Sequence, residues 1–370
     1  MALVPDSFAL PARTLTGRNC ILHLLPLCST FGHRGLLLFG GSLQRAGALA
    51  RIMETRPTGV ELLPYQHEGG EPTLGQLRAL LQSARAFRAE WVAAVGGGSV
   101  LDLGKACAGL LHAREDVTPY HEGRPIDCPG IPFAAAPTTA GTGAECTINA
   151  VFTNEDTDLK KSIRDEALSA RLIILDPCLL ASCPRPVLAA AGMDAFTQAL
   201  EAYTSIRASW LSDQFALKGL SLLATNLPLA FADPAGAAAE RLLLGSYFTG
   251  IALGLSRLGI VHGLAHPLGA FYKQPHGQVC AACLPYAVEW NRDAMGVRYA
   301  TMSQELQGDL LSIVRDLIVA LDLHSPFQGA AMVHKEEIIS QTLASGSTKA
   351  GARQATRADV EWFLARLFAP

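Results

Sequence analysis

Residues 91–113 read WVAAVGGGSVLDLGKACAGLLHA, and their layout decides the fold class. Five apolar residues, 91–95, form a short run that reads as a buried strand. Gly96, Gly97, Gly98 and Ser99 break it, and residues 100–113 return to helical spacing. Strand, glycine turn and helix in this order are the start of a parallel crossover unit.

The same unit recurs on both sides. Upstream, LLLF (36–39) runs into Gly40-Gly41-Ser42 and a helical pattern to about Arg56. GVELLP (59–64) reads as a further strand, and 73–88 as a helix with Arg78, Arg85 and Arg88 on its charged positions. Downstream, IPFAAA (131–136) ends in Pro137-Thr138-Thr139, and strands are expected at 147–153 and 172–175. Strands alternating with helices argue a parallel sheet. After Asp176-Pro177 the character changes, and from about 184 only helical patterns remain, broken by Gly and Pro. The expected organisation is a Rossmann-like α/β dinucleotide-binding domain at 1–179 and an all-α domain at 180–370, with 229–239 a helix–loop–helix connection.

Composition narrows the function. A chain of 370 residues exceeds what one core usually supports. Hydrophobic content of 49 % and charged content of 17 % mark a well-packed globular protein. A net charge of −3 gives no polyanion-binding surface, so no nucleic-acid partner is expected. No apolar run is read as long enough to span a bilayer and no signal-peptide layout opens the chain, so the default reading is cytoplasmic with no membrane partner. The nine scattered cysteines read as reduced thiols, and the Cys280-x-x-Cys283 pair, lacking a second pair, as helix packing.

Glycines at a strand-to-helix turn let a backbone approach a ligand, and the helix start offers free N–H groups to a phosphate. Gly96, Gly97, Gly98 and Ser99 are therefore cofactor candidates. In PTTAGTGAE (137–145), Thr138, Thr139 and Thr142 add hydroxyls suited to a pyrophosphate or ribose. Asp102 is either an acid of the helix's first turn or a group facing the cofactor.

Three of the ten histidines, His262, His266 and His276, crowd into GIVHGLAHPLGAFYKQPHGQVCAACLP (259–285), among apolar residues. A buried imidazole needs a partner. His262 and His266, four apart, share a helix face, and His276 opens the next helix.

These stretches carry a family resemblance. Gly96–Ser99 with Asp102 and Lys105, PTTAGTGAE, Asp176-Pro177, GMDAFTQALEAYTS (192–205) and VHGLAHPLGAFYKQPHG (261–277) together resemble the iron-containing (group III) alcohol dehydrogenases of the dehydroquinate synthase-like fold. FALPARTLTG (8–17) resembles the family's first strand. The resemblance implies a nucleotide-binding domain, a helical domain and a cleft between them, and NAD(P)(H)-dependent interconversion of a small alcohol and its aldehyde or ketone. It implies a divalent metal, Fe2+ foremost and Zn2+ next, held by Asp194, residue 198, His262 and His276. His266 matches a histidine beside the nicotinamide that orients it or relays a proton, so Asp194 and His266 are the catalytic candidates. Lys160 matches a lysine that approaches the cofactor, a solvated surface lysine being the other reading. A homodimer is expected.

The chain departs from the family's pattern twice. Where a histidine should stand four residues after Asp194 there is Gln198, and an amide oxygen is a poorer ligand than imidazole. Three arrangements stay open: weak ligation by Gln198, a water in its place, or no stable metal. Cys280, four residues after His276, is a substitute ligand to consider. Secondly, Gly40 stands where many members carry the aspartate that repels a 2′-phosphate, so NADP(H) becomes acceptable, with Ser42 or Arg45 near that phosphate. Rival readings are maleylacetate reduction, polyol oxidation, or a cofactor-binding protein whose catalysis is lost. Val151, Phe152, Phe271, Tyr272 and Asn149 are substrate-lining or core residues.

Overall fold

The apolar runs read from the sequence become strands of one parallel sheet. The computed structural model describes residues 2–6, 8–157 and 159–369. In chain order the strands are β1 (Thr14–Thr16), β2 (Arg34–Gly40), β3 (Glu61–His67), β4 (Trp91–Gly96), β5 (Phe133–Pro137), β6 (Asn149–Asn154), β7 (Leu159–Arg164) and β8 (Leu172–Leu175). Six of them pair in parallel in the order β1-β8-β5-β4-β2-β3, while β6 and β7 form a separate antiparallel pair. The strand expected at 147–153 thus exists but stands outside the main sheet, and β7 was not expected at all.

Burial explains the sheet. All six residues of β4 are buried, as both neighbours and both faces cover it. Alternate residues point to one face. Leu37 and Phe39, Trp91, Ala93 and Val95, Ala134 and Ala136, and Leu172 and Ile174 pack there with Cys20, Ile21, Leu24, Leu25 and Cys28. Truncating a fully buried leucine such as Leu24 to alanine costs about 2–5 kcal/mol. The helix Gly98–Leu110 follows β4 directly and is buried along almost its whole length. The helix Leu74–Phe87 starts with a reciprocal cap between Thr73 and Gln76, which stops it fraying. The single helix expected up to Arg56 is instead two, Gly41–Arg45 and Ala48–Glu54. Gly47 between them has φ 71°, a left-handed conformation that ends the first.

Two compact units result. One comprises residues 9–139 and 143–183, with the sheet. The other takes in 140–142 and the chain from Pro184 onward, together with the segment up to Phe8. That N-terminal segment is tied down because the carbonyls of Ala2 and Leu3 accept from Trp210 and Leu211 N–H, at the start of a helix.

In the second unit every described element is helical. The major ones are Arg185–Thr204, Trp210–Ala232, Ala238–Leu255, Ile260–Tyr272 and His276–Met295. The turn between the second and third of these falls at 233–237, inside the expected connection. One sequence reading needs correction: the helix Trp210–Ala232 is long and apolar enough to cross a membrane by length and composition. Its apolar character has a different use here. It packs against Arg185–Thr204 and Ala238–Leu255, and its buried Asp213 pairs with Arg298.

Candidate active site and metal centre

Three helices of the helical unit bring the site together. Arg185–Thr204 carries Asp194, Gln198 and Glu201, at spacings that share one face. Ile260–Tyr272 carries His262 and His266. Lys273, in the left-handed conformation, ends that helix, and Pro275 sets up the next, which opens at His276 and carries Cys280 one turn on. Gly277 permits the approach of this last helix. A Cβ there would lie 2.1 Å from the Ala190 carbonyl oxygen, so only glycine lets the two backbones meet this closely.

The donors converge on Asp194 Oδ1. His262 Nε2 lies 3.2 Å from it, His276 Nε2 3.6 Å and Cys280 Sγ 3.7 Å. Cys280 Sγ also lies 3.6 Å from His276 Nε2. Asp194, His262, His276 and Cys280 each offer one ligand atom, all within 4.8 Å of one another. The Gln198 amide nitrogen donates to the other aspartate oxygen, Oδ2, at 2.9 Å. Its Oε1 is buried without a hydrogen-bond partner. A convergent carboxylate, two imidazoles and a thiol, beside an orphaned buried oxygen, fit a divalent cation.

Glu201 is the residue that sequence reasoning passed over. Its Oε2 lies 2.6 Å from His262 Nδ1, and its Oε1 accepts from Val261 N–H at 2.7 Å. One carboxylate thereby caps the helix carrying His262 and fixes that ring with Nδ1 donating, leaving Nε2 to face Asp194. The one sequence signal for Glu201 is its place seven residues after Asp194, on the same helix face.

Electrostatics follow from burial. Burial pushes the His262 imidazole down, but Glu201 and Asp194 outweigh it and raise its pKa to about 9. Burial pushes Asp194 up, yet the His262 hydrogen bond and the charges of His276 and His262 hold it below the usual carboxylate range. Burial, reinforced by Asp194, lifts the Cys280 thiol well above the ordinary range. His266 is exposed, and its ring centre lies 5.3 Å from that of His276, edge-on.

The expected cofactor loops lie in the sheet unit, apart from residues 140–142. The helix after β4 starts at Gly98 with Gly97 at its cap and no side-chain cap bond, so its first N–H groups lack that intrachain acceptor. Gly97, Gly98 and Ser99 are half-buried there. Gly96 is buried, its carbonyl accepting from Thr138 N–H at 2.9 Å, and Thr139 lies against Gly97. Thr142, exposed, belongs to the helical unit.

Other candidates are held by the protein itself. Asp102 is buried, accepting from Val151 N–H at 2.9 Å and pairing with Lys105 at 3.1 Å. Lys105 has no exposure and also donates to the carbonyls of Ala144 (2.6 Å) and Asn149 (2.7 Å). Lys160 pairs with Glu71. Phe152 is fully buried, Phe271 stacks on His334, and Tyr272 donates to the Ala331 and Val333 carbonyls. At the end of β2, Gly40 and Ser42 are half-buried, and a Cβ on Gly41 would lie 3.1 Å from Arg45 Nη1.

Comparisons with known proteins bear on this arrangement. The sequence profile described as "Iron-containing alcohol dehydrogenase" matches residues 11–177, and that described as "Fe-containing alcohol dehydrogenase family, C-terminal" matches 188–368. Lactaldehyde reductase of Escherichia coli (strain K12) is 32 % identical over 275 residues, 73 % of this chain and 72 % of that protein. The crystal structure of a 1,3-propanediol oxidoreductase superposes with a TM-score of 0.92 at 26 % identity, covering 98 % of this chain and 99 % of that one. A sulfoacetaldehyde reductase from Bifidobacterium kashiwanohense, solved in complex with NAD+, also has a TM-score of 0.92, covers 98 % of each chain and is 24 % identical, a likeness of fold alone.

Proposed function

The chain belongs to the iron-containing alcohol dehydrogenase family and interconverts an alcohol and its aldehyde or ketone with a nicotinamide cofactor; we propose that its substrate is small and its centre a divalent metal held by Asp194, His262 and His276. The observation that carries this reading is the convergence of both histidine Nε2 atoms and Cys280 Sγ on Asp194 Oδ1. Lactaldehyde and 1,3-propanediol, named for the relatives, set the size of substrate to try.

A bound divalent cation supplies Lewis-acid polarisation of the substrate oxygen. The chain's own groups prepare for it. Asp194 contributes the negative charge at the centre of the cluster. Glu201 accepts from His262 Nδ1, so Nε2 is the ring atom that would ligate on giving up its proton to the incoming cation. His266, exposed beside His276, would carry a proton to or from the alcohol, a task imidazole suits. A bound nicotinamide cofactor supplies or accepts the hydride. Gly96, Gly97, Gly98 and Ser99 would take its pyrophosphate on the open helix start, with Thr138 and Thr139 beside the glycines and Thr142 three residues further along that loop. Asp102 and Lys160 contribute through the loops they brace, because both already have protein partners.

NADP(H) is accepted at this site. Gly40 brings no carboxylate to the end of β2, and the Arg45 guanidinium lies against Gly41. The test is initial-rate reduction of short hydroxyaldehydes with NADH and with NADPH, after reconstitution with iron, zinc or manganese. Turnover that depends on added metal and is supported by NADPH is expected. Metal-independent turnover overturns the metal centre, and a large NADH preference overturns the cofactor reading. In Gly40→Asp the ratio of kcat/KM for NADPH over NADH should fall at least about tenfold, as a carboxylate meets the 2′-phosphate.

A further inference from the structure

We propose that Cys280 is the fourth ligand of the metal centre, with Gln198 outside the ligand set as the donor that orients Asp194, and that the centre prefers zinc-like cations over iron. This rests on the metal reading above.

The geometry separates the two side chains. Asp194 has one oxygen for each side. Oδ1 faces His262, His276 and Cys280, whereas Oδ2 receives the Gln198 amide. The amide nitrogen therefore presents a proton to the carboxylate, while Oε1 stays buried without a hydrogen-bond partner, so the division of roles is tested at Gln198 directly. Its task is to leave Oδ1 free and pointed.

The spacing of the other donors suits a tetrahedral ion. Bond lengths of about 2.0–2.1 Å to nitrogen or oxygen and about 2.3 Å to sulfur give tetrahedral edges of about 3.3 Å and about 3.6 Å respectively. The N···O separations here are 3.2 Å and 3.6 Å. The separations from sulfur are 3.6 Å and 3.7 Å. His276 and Cys280 stand four apart on one helix face, so a single helix supplies two donors, as Asp194 and residue 198 were expected to do on theirs.

The chemistry of the set follows. A thiolate is a softer donor than the imidazole it would replace and shifts preference toward zinc and cobalt. Asp194, His262, His276 and Cys280 would hold a zinc-like cation, which could still polarise a substrate oxygen because such ions can take a fifth ligand. Access is one-sided. The side chains of Asp194 and His262 are 4 % and 3 % exposed and Cys280 is buried, but His276 is 28 % exposed, so substrate oxygen arrives beside His276.

The experiment is cobalt titration of the chelator-stripped full chain, read by absorption. Wild type should show ligand-field bands together with a thiolate-to-cobalt charge-transfer band in the near ultraviolet. Cys280→Ser should lose the charge-transfer band, keep ligand-field bands and bind cobalt at least about tenfold more weakly. Cys283→Ser and Gln198→Leu should both keep the charge-transfer band. The affinity ratio of zinc over iron should also fall in Cys280→Ser. Ligand-field bands without charge transfer in wild type overturn Cys280 as ligand and leave the metal reading standing. No cobalt binding at all overturns both. Loss of the charge-transfer band in Gln198→Leu, with the fold intact by circular dichroism, overturns the division of roles. Should Cys280→Ser fail to fold, the wild-type band and its persistence in Cys283→Ser decide the question.

Discussion

Glu201 holds His262 by its ring, with Oε2 2.6 Å from Nδ1, and holds the helix of His262 by its backbone, with Oε1 2.7 Å from Val261 N. One buried carboxylate therefore sets both the position of His262 and which ring nitrogen faces Asp194. Glu201→Gln keeps a polar group for Val261 but removes the charge facing Nδ1. Metal affinity should fall about 10–100-fold while the fold persists. Chelator competition against wild type measures it; an unchanged affinity would show that the carboxylate serves only as a helix cap.

Gly277 sets the approach of the His276 helix to the Asp194 helix. In Gly277→Ala the new Cβ meets the Ala190 carbonyl at 2.1 Å, and neither backbone can yield locally. Overpacking of this kind costs about 1–3 kcal/mol or more. Urea denaturation should show that loss, and metal binding should weaken more than in a Gly254→Ala control, where a Cβ meets nothing within 4 Å.

Lys105 is a buried cation with an ion pair and several oxygen acceptors. Lys105→Met removes the charge and leaves Asp102, whose carboxyl burial already raises, without its partner. Breaking a buried pair in this way costs about 3–5 kcal/mol. The double variant Lys105→Met/Asp102→Leu should recover part of that loss in denaturant unfolding, because no charge is then stranded.

Glu145 provides a pH dependence. Burial raises its carboxyl from 4.5 to about 7, against the opposing effects of a backbone hydrogen bond and Lys105. The folded chain then binds a proton that the unfolded chain has released between these two values. Stability accordingly falls as pH rises from about 4.5 to 7 and levels off above. Glu145→Gln should remove this slope, worth on the order of 1–3 kcal/mol. Thermal unfolding of both proteins at pH 5 and pH 8 tests it: wild type should lose more on going to pH 8.

Much of this was legible in the sequence, and the exceptions have physical causes. Strands β2, β4, β5 and β8 are central and buried, so their apolar runs announced them. Strand β7, LKKSIR, buries only Ile163, with Lys160 half-buried and Lys161 exposed, so no apolar run marks it. The His262–His276 stretch was visible because three imidazoles in an apolar setting demand partners. Cys280 was harder to weigh: its spacing from His276 is written in one helix, but its distance to Asp194 depends on how two helices pack. Asp102 was ambiguous for the same reason, since Val151 N–H reaches it from a strand 49 residues away. Glu201 sat in a quoted motif, yet nothing local distinguishes an acid that caps another helix from one that pairs with solvent.

The contact between Gly277 and Ala190 has one more consequence. It is made by main-chain atoms, which have no rotamers to adjust, and it lies beside the helix start that presents His276. The separation of the two helices at this point is thus set by rigid backbone rather than by adaptable side chains. The donor set does the discriminating: calcium, which takes six or more oxygens, finds one carboxylate, two imidazoles and a thiol here. A backbone contact one residue from His276 and four from Asp194 thus fixes where the donors of two helices stand.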